Sequence, residues 1–185
     1  LSEKVIAAYA VRDAAVDPFM LSLDNISHAQ ELGAALLRYT QVRGFEIRGS
    51  RIRSVRLENT QTAEEMIIEA DIVVNASGAW AGLVAGLAGT PINVLYSKGT
   101  LLITHNRITR RVINRLRPAS DADIVVPGGV VSLLGTTSIR IDDPDDRYPT
   151  IEEIDVMVDD AMAMIPALEE TRYIRAFCGV RPLLG

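Results

Sequence analysis

Asp71–Gly89 reads DIVVNASGAWAGLVAGLAG, and the fold turns on how that stretch is read. From Ile72 to Ser97 there is no charge, and Gly78, Gly82 and Gly86 stand at GxxxG spacing, the pattern of paired membrane helices. Asn75, Ser77, Pro91 and the glycines make the stretch too polar and too broken for a span, which needs about 20 mainly apolar residues. It reads instead as an apolar strand, a small-residue turn and a short helix, whose glycines let it lie close against a sheet. Such a turn can offer unpaired N–H groups and a positive dipole to an anion. An ordinary strand-to-helix turn has the same spacing, so both readings stand. The GxGxxG dinucleotide fingerprint is absent from the chain.

Working outward, Lys4–Val11 (KVIAAYAV) and Ala34–Thr40 (AALLRYT) read as strands. Between them, Arg12–Phe19 is a turn-bearing loop ending in Asp17-Pro18, and Ser22 caps a helix that runs to about Leu32 and stops at Gly33. Residues 44–49, 50–58 and 65–70 form a meander, with a tight hairpin at Gly49-Ser50 and Arg51, Arg53 and Arg56 on its wet face. Downstream, residues 92–105 supply one or two strands and residues 106–123 are arginine-rich and irregular. A hairpin turns at Gly128-Gly129, and the acidic run 142–149 is a solvated loop. Thr150 and Glu153 form a capping box for a helix to Ile165 that buries Ile151, Ile154, Val158, Ala161 and Ile165. Met157, Met162 and Met164 are packing residues, and Thr171–Val180 is a last strand.

Composition narrows the function classes. The chain has 185 residues, 48% of them hydrophobic, enough for a core, and a net charge of −5 gives no pull toward nucleic acid or anionic membrane. The meander arginines lack the interleaved aromatics of a single-strand binder. One cysteine, Cys178, excludes a disulfide framework and a cysteine metal site, and fits a reducing compartment. His28 and His105 stand far apart, and no metal site is expected. Ser77 lies in NASGA rather than a GxSxG elbow. The chain opens Leu-Ser-Glu without a signal-peptide pattern, and reads as part of something longer.

Two placed cations remain. Lys98 precedes Gly99, and Arg181 sits in Gly179-Val180-Arg181-Pro182 with nothing acidic beside it. A buried guanidinium there needs a ligand anion or a distant carboxylate.

The order AVDPF, meander, ADIVVNASGAW, SKG, GTTS and GVRPL resembles the FAD-dependent glycerol-3-phosphate dehydrogenases of the D-amino-acid-oxidase-like superfamily. KGTLLITH, VINRLRPASDADIVVPGG and LLGTTSIRID are most similar to the anaerobic type of that family. The resemblance implies an α+β fold. Residues 1–18 and 91–178 would form a substrate domain with a mixed or antiparallel sheet. Residues 19–90 would be an incomplete, Rossmann-like FAD-binding portion, and 179–185 the start of the return to it. The family's GxGxxG unit and its segment after GVRPL are both missing. A middle piece is therefore expected, one that neither retains FAD nor works alone.

The implied reaction is oxidation of sn-glycerol 3-phosphate to dihydroxyacetone phosphate by hydride transfer to FAD. Electrons would pass through quinone-linked partner subunits, at the cytoplasmic periphery of the inner membrane. By motif, Arg181 matches the catalytic, substrate-anchoring arginine, and Lys98 the family's Lys-Gly and a second substrate contact. Val42, Ala76, Ser77, Gly78, Trp80 and Gly179 match FAD contacts. Relatives that carry a histidine three residues after the lysine differ here, where Leu101 stands. Arg115 and Arg117 read as solvated residues or as further phosphate holders. Rival readings are a flavin enzyme for an amine or 2-hydroxy acid, or a scaffold subunit without chemistry.

Overall fold

The structure, a computed structural model, describes residues 1–12, 14–118 and 123–185. The part of VINRLRPASDADIVVPGG at 119–122 lies outside the described residues, as does residue 13 of the loop before the first helix. The described chain divides into two compact units, Val16–Val94, and Leu1–Ala15 with Leu95–Gly185.

In the unit Val16–Val94, helix α1 spans Pro18–Glu31. It starts four residues earlier than Ser22 because Pro18 occupies the first helical turn, where its missing N–H costs nothing. Asp17 is the N-cap: its Oδ1 accepts from Phe19 N (3.0 Å) and Met20 N (3.1 Å). Ser22 is interior, and its hydroxyl donates to the Pro18 carbonyl. Gly33, at φ +97°, ends the helix as expected.

Strands β1 (Thr40–Arg48), β2 (Arg51–Asn59) and β3 (Glu65–Glu69) form the antiparallel meander in the order β1-β2-β3. Gly49-Ser50 makes its tight turn, and Arg51, Arg53 and Arg56 are exposed. On the other face Val55 lies between Phe45 and Ile68, and Leu57 between Val42 and Met66. These cross-strand apolar pairs hold the sheet together. A bulge between Val42 and Gly44 inserts Arg43, whose guanidinium clamps Glu58 in a two-pronged bond of 3.0 and 2.9 Å.

Helix α2 (Ala81–Leu87) follows a single 3-10 turn, Gly78–Trp80, and packs on β1. Three expected strands do not form. Residues 4–11, 34–39 and 71–75 are irregular, with Ile6, Leu36, Ile72 and Val74 exposed. Propensity alone does not make a strand; it needs a ladder partner, and among the described residues none pairs with them. The glycines of Asp71–Gly89 also differ from expectation: a methyl at Gly86 would meet open space, so close packing does not require a glycine there. No helix of the described residues is long and apolar enough to cross a membrane.

The other unit is built on β4 (Val94–Thr104). Strands β5 (Ile113–Asn114), β6 (Ile124–Gly128) and β7 (Val131–Gly135) lead up to β4 as an antiparallel run. The hairpin turn falls on Gly129-Val130, one residue beyond expectation, because Gly128 still pairs with Val131. Strand β8 (Ile139–Ile141) continues the ladder on β4, with its register advanced by one residue between Leu101↔Gly135 and Lys98↔Ile139. Helix α3 spans Ile151–Met162, and β9 (Tyr173–Leu184) pairs with β4 and runs through Gly179.

Leu102, Leu134 and Val125 stand side by side across β4, β7 and β6, and Met157 and Ala161 of α3 cover them with Met164, Ile165 and Leu168. The capping box forms as read: Glu153 N donates to Thr150 Oγ1, and Thr150 N to Glu153 Oε2. The buried stripe is displaced from the one expected. Ile151 is 72% exposed and Met157 fully buried, because the stripe is centred on Glu153, Met157 and Ala161. Met157→Ala should therefore cost about 2–5 kcal/mol. Ile151→Ala should change stability by less than about 0.5 kcal/mol. Urea unfolding monitored by circular dichroism measures both.

Candidate functional site

Side chains of a strand alternate between faces, and β4 divides its work accordingly. Lys98, Thr100, Leu102 and Thr104 are buried. Leu102 meets the α3 core, and Lys98 and Thr100 reach the first turn of the same helix. Lys98 Nζ donates to the Tyr148 carbonyl at 3.0 Å and lies 3.4 Å from Glu153 Oε2 and 3.8 Å from Asp146 Oδ1. The Lys98 and Glu153 side chains are 5% and 4% exposed, so each charge depends on the other. Thr100 Oγ1 donates to Glu153 Oε1 at 3.2 Å and lies 3.0 Å from Cys178 Sγ.

Gly99 and Leu101 belong to the opposite face. Above Gly99 lies the Arg181 side chain. Its Nη2 donates to the Thr137 carbonyl at 2.9 Å, and the Thr136 hydroxyl donates to the same oxygen at 3.1 Å. An added Cβ at Gly99 would stand 2.7 Å from Thr136 Oγ1, 3.0 Å from Arg181 Nη2 and 3.2 Å from the Thr137 carbonyl. Thr137 closes the arrangement from below, its Oγ1 accepting from Thr100 N at 2.9 Å. The register step between β7 and β8 thus exposes one carbonyl and fills the space with a guanidinium. Three distant motifs, SKG, GTTS and GVRP, meet at this point.

Among the described residues no carboxylate pairs with Arg181. Arg181 is exposed rather than buried, so water can serve its remaining N–H groups and neither source of negative charge weighed for a buried guanidinium is required. Gly179, two residues earlier on β9 and so on the same side as Arg181, has nothing within 4 Å of an added Cβ. Beside the guanidinium the strand is an open shelf. Leu101 also lies on this side, and a methyl at Gly135 would collide with it.

Lys98 is not brought together with Arg181: it is on the other face and committed to Glu153. Arg115 is half-buried and Arg117 exposed, and both are paired with carboxylates. Arg117 Nε donates to Asp123 at 2.7 Å and Arg115 Nη1 to Asp160 at 3.3 Å, tying the irregular segment to α3.

In the unit Val16–Val94, the turn Asn75–Trp80 is shaped by Asn75, whose Oδ1 accepts from Ser77 Oγ (2.6 Å) and N (3.3 Å) while its Nδ2 donates to the Ala81 carbonyl. Gly78 needs its freedom here, at φ +58°, and an added Cβ would meet nothing within 4 Å. Ala76 and Gly78 are exposed, Ser77 and Val42 half-buried, and Ala79 buried. A turn this small and open fits a group that approaches the backbone closely. Val42 sits at the β1 bulge, where the ladder is interrupted.

The bulge and the register step carried no signal in the sequence. Glu153 was legible only as a helix cap, and the acceptor role of Thr137 rests on its backbone, which any residue type has.

The sequence matches the family described as FAD dependent oxidoreductase over residues 2–185, and the chain belongs to that family. It is 43% identical over 183 residues to a subunit of the anaerobic glycerol-3-phosphate dehydrogenase of Escherichia coli strain K12, covering 98% of this chain and 34% of that protein. The chain thus spans about a third of the length of the curated relatives it matches. Among solved structures, the glycerol-3-phosphate dehydrogenase from Bacillus halodurans complexed with FAD shares the fold, with a TM-score of 0.77 and 23% identity, over 90% of this chain and 35% of that one. L-proline dehydrogenase from P. horikoshii gives 0.71 and 28%, over 89% and 43%. The resemblance read from the motifs and the α+β, D-amino-acid-oxidase-like fold class are borne out.

Two measurements follow. Burial holds the Cys178 thiol above its ordinary 9.0 and the Tyr173 hydroxyl above its ordinary 10.0. Both groups are kept neutral by folding. Their contribution is complete below those ordinary values and is lost as pH rises through the raised ones. Urea midpoints should fall above about pH 9, and Cys178→Ala should remove the earlier part of that fall. Gly99→Ala should displace Arg181 and cost about 1–3 kcal/mol, measurable by thermal melting and by a crystal structure of the variant.

Proposed function

We propose that this chain is the central portion of an FAD-dependent glycerol-3-phosphate dehydrogenase, oxidising sn-glycerol 3-phosphate to dihydroxyacetone phosphate. The observation that carries this reading is Arg181: a guanidinium fixed to a backbone carbonyl, unpaired with any described carboxylate, beside the open shelf at Gly179. A guanidinium in that state binds phosphate or carboxylate through charge-assisted hydrogen bonds. The names of the relatives select the phosphate ester.

In this reading Arg181 holds the anionic end of the substrate and so fixes where C2 lies. Lys98 supports the strand from behind and makes no substrate contact. The unit Val16–Val94 is the cofactor-binding portion, with Val42 and the turn Ala76, Ser77, Gly78 and Trp80 holding FAD. The unit containing β4 takes the substrate, and Gly179 leaves room beside Arg181. The chemistry FAD supplies when bound is acceptance of a hydride at N5. Leu101 is apolar and cannot take the hydroxyl proton, so that proton leaves by another group. The anaerobic relatives are named as subunits of an enzyme, which supports partner subunits that carry electrons onward to quinone at the membrane periphery.

A second reading has one specific observation in its favour. Lys98, Arg115 and Arg117 are each committed to carboxylates and add no further positive charge beside Arg181, which suits a monoanionic amino or 2-hydroxy acid.

The test uses a full-length enzyme carrying this chain. Anaerobic addition of sn-glycerol 3-phosphate should bleach the flavin absorbance, and Arg181→Ala should lower kcat/KM by at least about a hundredfold. Bleaching by proline or lactate and not by the phosphate ester would transfer the assignment to the second reading. Equal bleaching in both variants would remove Arg181 from the site.

A further inference from the structure

The buried pair under the strand has no role in the chemistry above, yet it connects to Arg181 through a short chain of hydrogen bonds. Arg181 Nη2 donates to the Thr137 carbonyl, and Thr137 Oγ1 accepts from Thr100 N. Thr100 Oγ1 donates to Glu153 Oε1, and the other Glu153 oxygen faces Lys98 Nζ. Thr100, Thr137, Lys98 and Glu153 are each at most 5% exposed, so water does not compete for the bonds among these four, while Arg181 at the end of the chain is exposed.

We propose that Lys98 and Glu153 are positioning residues for Arg181, acting through Thr100 and Thr137 to set where the guanidinium presents itself. This rests on the substrate-anchoring role proposed for Arg181. The geometry makes a specific demand of each link. Glu153 is fixed at one end by the helix cap, with Thr150 N donating to its Oε2 at 2.7 Å. Its remaining oxygen is thereby aimed at Thr100. Lys98 sets a positive charge 3.4 Å from this buried carboxylate, which burial would otherwise leave uncompensated. Thr100 then fixes the β4 backbone at the register step, the one place where Thr137 must turn its hydroxyl inward and its carbonyl toward Arg181. A hydrophobic pair at 98 and 153 would fill the same space but leave Thr100 Oγ1 without its acceptor.

The experiment is a double-mutant cycle on the full-length holoenzyme with Thr137→Val and Arg181→Lys, alone and combined. Thr137→Val keeps the carbonyl that holds Arg181 and removes the oxygen that anchors it to Thr100. It should raise KM for sn-glycerol 3-phosphate about tenfold with kcat nearly unchanged, and should add less than about twofold in the Arg181→Lys background. Lys98→Met/Glu153→Gln, which removes both charges while retaining an acceptor, should show the same split. Multiplying effects, or an unchanged KM in both variants, would overturn the proposal.

A second readout does not depend on the substrate. The rate of Arg181 modification by phenylglyoxal, read by peptide mass spectrometry, should rise several-fold in both variants, and an unchanged rate would overturn the proposal. If wild-type enzyme fails to oxidise the phosphate ester while the labelling rates still move, the substrate assignment fails and the positioning device stands.

Discussion

The buried ion pair between Lys98 and Glu153 is the constraint around which the unit containing β4 is arranged. It sits where α3 begins, so one carboxylate caps the helix, neutralises the lysine and accepts from Thr100. Toward the other end of α3 the packing becomes wholly apolar, with Met157 and Ala161 over Leu102, Leu134 and Val125. The helix is thus held by a polar lock at its start and a hydrophobic seam along its length. The lock is specific in register, because Glu153 can meet Lys98 and Thr100 only when those two residues lie on one face of β4. That fixes Gly99 on the other face, and with it the floor on which Arg181 rests. Much of the measurable worth of such a pair lies in specifying one arrangement, since its Coulombic gain is offset by desolvation.

What could be read from the sequence was what is decided locally. The Thr150 and Glu153 capping box, the Gly33 stop and the Gly49-Ser50 turn depend on residues within a few positions of one another, and all three formed. The start of α1 was legible too, in the Asp17-Pro18 pair, but the proline was read as the end of a loop rather than as the first residue of a helix. The expected strand residues 4–11, 34–39 and 71–75 had the right composition and, among the described residues, no ladder partner, and a strand without a partner is only an extended apolar segment. The site divides the same way. That Arg181 makes a specific contact could be expected from its neighbours, although the side chain is exposed rather than enclosed. What it rests on could not be inferred, because its anchor is a backbone carbonyl some forty positions away, exposed by a register step that no residue type announces.

Membership of the FAD dependent oxidoreductase family and the match to anaerobic glycerol-3-phosphate dehydrogenase agree with the geometry on one point. Three of the motifs that carried the resemblance, SKG, GTTS and GVRP, converge at Gly99, Thr136, Thr137 and Arg181. Lys98 shows the limit of reasoning by motif. It stands beside Gly99, and one step along a strand is enough to turn its side chain away from Arg181 and into the interior.

The alternation of β4 has a consequence for how such a protein can change over time. Residues 98, 100 and 102 answer to the helix behind the strand, while 99 and 101 answer to whatever lies in front. A replacement at Leu101 alters the surface on the Arg181 side of the strand and leaves the α3 seam untouched. A replacement at Leu102 does the reverse. Two selective pressures therefore act on one continuous segment with little interference. Leu101 can thus vary with little effect on the interior that keeps the unit folded, whereas Gly99 is held to glycine by Thr136 and Arg181.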